Sequence, residues 1–144
     1  MNEKTVNIDN FIGVYDNYIT DQECDKAIEL FEQQNKFNNT LNRLQFEGSN
    51  ILEKNDKQFF ARINNIDIWW TNLKSLILNY DMAFKHYITT TGANAAWNNP
   101  EFHYTCVKIQ KTLPTEGYHL WHVEHALGYE CEPRVFAFSV YLND

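Results

Sequence analysis

The residues best suited to chemistry lie late in the chain, where His122 and Glu124 are separated by a single valine. In an extended segment, side chains two apart point to the same face about 6.6 Å from one another, close enough for an imidazole and a carboxylate to reach one metal ion. The spacing alone is cheap: with five histidines and 19 acidic residues in 144, on the order of one such pair is expected by chance. His119 and His125 flank the pair, either facing solvent or serving as substitute ligands. His86 and His103 fall in a helix and a strand, where a structural role is expected. Further on, Val135, Ala137, Ser139 and Tyr141 share one face of an expected strand, while Phe136, Phe138, Val140 and Leu142 share the other. A small-residue face ending in a phenol suits a pocket, and an ordinary core tyrosine suits the same pattern.

These residues need elements to position them. Thr20 and Glu23 have the spacing of a capping box, and Cys24, Ala27, Ile28 and Phe31 then recur on one helical face, predicting an amphipathic helix that ends near Asn35. A longer helix is predicted from about Ile66, through Trp69, Trp70, Leu73, Leu76, Ile77, Tyr80, Ala83, Phe84 and Tyr87, with Gly92 helping to end it. Between them, residues 38–56 are rich in Asn, Gly and Ser and read as a long loop or hairpin. Residues 102–109 and 134–142 are β-branched and aromatic and read as strands. Helices first and strands last predict an α+β fold, with the helices bracing one face of an antiparallel sheet.

A chain of 144 residues suits one domain that buries roughly 70% of its unfolded surface. Its aromatic share of 15% argues against disorder. A net charge of −7 offers no broad positive field for a phosphate backbone, so general nucleic-acid binding is not expected. Cys24, Cys106 and Cys131 have neither CxxC spacing nor an even count, which fits a reducing cytoplasm. No apolar stretch approaches the length of a bilayer span, and the first ten residues lack the apolar core of a signal peptide, so no membrane partner is expected.

Residues 107–144, VKIQKTLPTEGYHLWHVEHALGYECEPRVFAFSVYLND, place several features in one order. A strand is followed by Pro114, the Gly117-Tyr118 pair, His122 with Glu124, a variable loop over residues 128–133, and Tyr141-Leu142-Asn143 closing a second strand. In this order the stretch resembles the iron(II)- and 2-oxoglutarate-dependent oxygenases of the prolyl 4-hydroxylase type. Residues 10–33, NFIGVYDNYITDQECDKAIELFEQ, are similar to that family's opening strand and capped helix; residues 36–65 are outside the resemblance.

The resemblance implies a double-stranded β-helix, or jelly roll, of which this chain holds an incomplete sheet. It implies His122 and Glu124 as two ligands of a 2-His-1-carboxylate iron(II) centre, with open positions for 2-oxoglutarate and oxygen. Glu124 stands where most members have Asp, so its extra methylene must be absorbed by the backbone or by the position of the metal. Tyr141 matches the tyrosine whose hydroxyl contacts the distal carboxylate of 2-oxoglutarate, and Tyr118 matches a position that can line the same site. Iron(II) and 2-oxoglutarate are thus the implied cofactors, with ascorbate as an accessory reductant, and the substrate would be a peptide or small molecule. The family's distal metal His and its carboxylate-pairing Arg or Lys have no counterpart in these 144 residues. That points to the first part of a longer oxygenase with little activity of its own, or to an oligomer that covers its own open sheet. A different class, a non-catalytic jelly-roll interaction module without a metal centre, fits the same framework. On either reading the Phe136 and Phe138 face should meet the helices, and the chain should self-associate through the side left open.

Overall fold

The computed structural model describes residues 3–45, 50, 52–62, 69–93, 106–121 and 136–143. Among these residues the fold is α+β: two helices and several antiparallel sheets, none of them closed.

The chain opens with a hairpin of β1 (Thr5–Asp9) and β2 (Ile12–Asp16), paired from Thr5 opposite Asp16 to Asp9 opposite Ile12. Its two-residue turn, Asn10 at φ 47° and Phe11 at φ 64°, has both residues left-handed, the geometry whose twist matches that of paired strands. Glycine is the usual second residue of such a turn, which is why the sequence carries no obvious hairpin signal here. Tyr87 donates its hydroxyl to the Phe11 carbonyl, and Tyr15 shares a 3.0 Å hydrogen bond with His86 Nδ1, so the hairpin is tied to the second helix.

Helix α1 (Asp21–Lys36) begins as its spacing predicts. The Thr20 hydroxyl accepts from the Glu23 N–H at 3.3 Å, alongside the Thr20 carbonyl at 2.9 Å, and the Thr20 N–H donates back to Glu23 Oε2 at 2.7 Å, which closes the capping box. Its buried face is Glu23, Ala27, Leu30 and Phe31. The second helix opens with a π turn (Trp69–Leu73) and continues as α2 (Lys74–Thr91), which ends at Gly92 in the left-handed conformation at φ 71°.

The loop expected over residues 38–56 contains two short strands, β3 (Leu41–Asn42) and β4 (Lys54–Asn55), and a 3₁₀ turn at Arg43–Gln45. Immediately after it comes β5 (Lys57–Arg62), which the sequence reading did not identify and which is the central strand of a β3-β5-β6 sheet. Its partner β6 (Cys106–Lys111) occupies the later part of the strand expected at 102–109; residues 102–105 lie outside the described residues. A third sheet pairs β4 with β7 (Gly117–Tyr118).

The core collects Ala27, Leu30 and Phe31 from α1, Phe59 and Ala61 from β5, Ile109 from β6, and Leu73 and Leu76 from the second helix and its π turn. Leu142 packs on its edge. Residues 136–143 correct the expected final strand: they lie in no ladder among the described residues. Alternation holds in part without pairing: Phe136, Val140 and Leu142 are partly buried and Ala137, Ser139 and Tyr141 are exposed, whereas Phe138, expected on the covered face, is itself 45% exposed. Phe138 meets Tyr80 and Phe84 edge to face, each with ring centroids 5.0 Å apart, and Phe136 meets Phe84 at 5.4 Å and Tyr87 at 6.0 Å.

Candidate functional site

The two sequence-derived metal ligands, His122 and Glu124, lie outside the described residues, as do His103 and His125. The chain leading to them is described. Glu116 Oε2 accepts from the Leu113 N–H at 2.8 Å and Glu116 Oε1 accepts from Asn55 Nδ2 at 3.1 Å, which fixes the turn that precedes β7. Gly117 has φ 136°, a backbone conformation that L side chains rarely adopt, while a Cβ there would meet nothing closer than 3.9 Å. Conformation, and not crowding, is what requires glycine at this position. Tyr118 pairs with Lys54, whose ammonium stands 4.2 Å over the phenol ring. The His119 N–H then donates to the Glu53 carbonyl at 2.7 Å, and the His119 side chain is exposed, as its solvent-facing reading expected. Trp121, one residue before His122, is fully exposed.

Tyr141 is 88% exposed, which does not fit the ordinary core tyrosine. His86 has the structural role foreseen for it, through its bond to Tyr15. Among the described residues no three His, Cys, Asp or Glu side chains gather in the manner of a metal site. Cys24 is no ready nucleophile: burial pushes its thiol up, and the carboxylates of Asp21, Asp25 and Glu23 add to the effect.

Two polar clusters escaped sequence reasoning. In the first, Glu23 is only 8% exposed, and its carboxylate links the two helices. Oε2 accepts from the Thr20 N–H and hydroxyl, while Oε1 accepts from the Ser75 hydroxyl and from Asn79 Nδ2 at 2.8 Å. Burial alone would raise its pKa, yet the hydrogen bonds from Ser75, Thr20 and Asn79 together outweigh burial and hold it below the ordinary carboxylate value. A cavity of about 310 Å³ lies beside it, lined in part by Lys26, Thr71 and Lys74. The capping spacing identified Glu23, but nothing local points to Ser75, 52 residues away.

In the second cluster, Arg43 Nη2 donates to Asp56 Oδ2 at 3.1 Å, and the Arg43 N–H donates to the Asp56 carbonyl at 3.1 Å. The Asp56 side chain is wholly buried and Gln58, two residues on, is 1% exposed. Asp56 ends the stretch read as a loop or hairpin and Gln58 lies just past it, so neither carries a periodic signal, and the cluster appears only when β5 takes its place in the sheet.

Compared with protein-family models, with curated proteins and with solved structures, the chain finds no match. Among the described residues no helix is long and apolar enough to cross a membrane.

Proposed function

We propose that the chain carries the first two metal ligands of an iron(II)- and 2-oxoglutarate-dependent oxygenase resembling the prolyl 4-hydroxylase type. The observation that supports this most is the segment entering the metal pair. Gly117, at a conformation suited to glycine, and Tyr118, paired in β7, stand five and four residues before His122, in the order the resemblance implies. Secondary support comes from residues 136–143, where Phe136 and Phe138 lie on α2 and leave the Tyr141 hydroxyl on the exposed side.

The donor set fits the metal, since an imidazole and a carboxylate are two of the three ligands of the facial triad common to non-haem iron(II) oxygenases. When bound, iron(II) with 2-oxoglutarate and oxygen supplies insertion of one oxygen atom into an unactivated C–H bond, the other oxygen leaving in succinate as carbon dioxide is released. His122 and Glu124 would hold the ion from one side. Tyr141 would donate its hydroxyl to the distal carboxylate of 2-oxoglutarate, and Tyr118 would line the same site. Substrate would be a peptide or small molecule, and the jelly-roll framework belongs to the proposal with it.

A second reading, a non-catalytic interaction module on the same framework, draws support from the exposed Leu120, Trp121 and Tyr141. Manganese(II), a spin-active stand-in for iron(II), separates the two when titrated into the chain and followed by electron paramagnetic resonance. The oxygenase reading expects binding that weakens at least tenfold in His122→Ala and in Glu124→Ala. Binding that neither substitution alters would overturn it and leave the interaction module standing.

A further inference from the structure

Where α1 passes the start of the second helix, the two leave a cleft of about 310 Å³, at the lower end of the roughly 300–1,000 Å³ typical of small-molecule sites. Apart from Leu78 its described walls are polar. Lys26 comes from α1, one turn beyond Glu23, and Lys74 and Ser75 come from the first turn of α2. Thr71 and Asn72 come from the π turn, which is wider than an α-helical turn and of a kind that recurs at functional sites. The carboxylate on these walls, Glu23, is already engaged, since its two oxygens accept four hydrogen bonds. One of those bonds fixes the character of Ser75. A hydroxyl has a single hydrogen, and Ser75 gives it to Glu23, so toward the cleft Ser75 offers only an acceptor.

We propose that this cleft binds a small hydroxylated anion, whose carboxylate or phosphate is met by Lys26 and Lys74 and whose hydroxyl donates to Ser75. Charge sets the first half of that class. In a chain of net charge −7, the described walls carry two ammonium groups against one carboxylate that hydrogen bonds already engage, so an anion finds partners here and a cation does not. Hydrogen bonding sets the second half. An apolar acid would meet the lysines but bring no donor to Ser75, and a neutral polyol would reach Ser75 but make no use of the two charges. Lys26, Thr71, Lys74 and Ser75 are exposed, so affinity is modest, with a Kd on the order of 1 mM for a ligand of this size. The site uses none of His122, Glu124, Tyr118 or Tyr141 and goes beyond the oxygenase reading.

Nuclear magnetic resonance titration of the full chain tests this, with a chelator present so that no metal contributes and with ionic strength held constant by sodium chloride. The backbone amide signals of Lys26, Thr71 and Ser75 should shift saturably with glycerate or with glycerol 3-phosphate, and the tighter of the two identifies the anionic group. Propionate, which lacks the hydroxyls, and glycerol, which lacks the charge, should each bind more weakly by about threefold or more. Lys26→Gln and Lys74→Gln, both at exposed positions, should each weaken binding by about two- to fivefold. Shifts that never saturate with either hydroxylated anion, or that survive unchanged in the Lys26→Gln, Lys74→Gln double variant, would overturn the proposal. So would propionate or glycerol binding as tightly as the hydroxylated anions.

Discussion

Replacing Glu23 with Gln should separate the two helices energetically without changing side-chain volume. The carboxylate receives four donors: the Thr20 N–H and hydroxyl on one oxygen, and the Ser75 hydroxyl and Asn79 amide on the other. An amide keeps one accepting oxygen and turns two hydrogens toward donors. The hydroxyls of Thr20 and Ser75 can rotate to accept, but the Thr20 N–H cannot. Hydrogen bonds to a charged group contribute about 1.5–3 kcal/mol, and leaving a buried donor unmet costs about 1–3 kcal/mol. Partial rescue by the adjoining cavity's water brings the expected loss to roughly 2–4 kcal/mol at neutral pH. That is a large part of a domain's typical 5–15 kcal/mol. Urea unfolding of both proteins measures it as the difference in extrapolated free energy.

The pH dependence gives a second, independent reading of the same group. Burial pushes Glu23 up, the hydrogen bonds outweigh it, and the folded pKa lies below the ordinary value of 4.5. A depressed carboxylate contributes stability that is present above the unfolded pKa and is lost as pH falls through the folded one. The gap between wild type and Glu23→Gln should therefore hold from pH 7 down to about 5 and narrow below about 4.5. A gap under about 0.5 kcal/mol at pH 7, or one that does not narrow on acidification to pH 3, would refute this account of how α1 and α2 are joined.

Other substitutions probe the hairpin, the core and the open face. Phe11 is 77% exposed at φ 64°, so Phe11→Gly removes backbone strain while sacrificing little packing, and calorimetry should show a stability gain of about 0.5–1 kcal/mol. Leu73 is 1% exposed where α1, β5 and α2 meet, and Leu73→Ala should cost about 2–5 kcal/mol in denaturant unfolding. The exposed Trp121 and Tyr141 should drive self-association, so sedimentation of the wild-type chain should show species above the monomer mass, reduced in a Trp121→Ser, Tyr141→Ser double variant. A wild-type chain that sediments as a monomer at all concentrations would remove that expectation.

What the sequence determined by itself is local. The capping pair at Thr20 and Glu23, the apolar face through Ala27 and Phe31, the aromatic repeat along α2 and its stop at Gly92 all depend on residues within a turn or two of one another, and all appear where their spacing puts them. The alternation at residues 136–142 was legible for the same reason, although alternation specifies which side chains face the helix and says nothing about whether a neighbouring strand pairs. The metal pair and Tyr118 were proposed from order along the chain, and of these the structure describes Tyr118 alone, in β7. Tertiary structure decided the rest. A hairpin closed by Asn10 and Phe11 lacks the glycine that advertises such turns, and its docking depends on Tyr87 and His86, more than 70 residues away. Strand β5 is short, and its polar Gln58 interrupts the apolar pattern, so it becomes central only because β3 and β6 flank it. That placement buries Asp56 and Gln58, two polar residues whose neighbours in sequence give no sign that water is excluded from them.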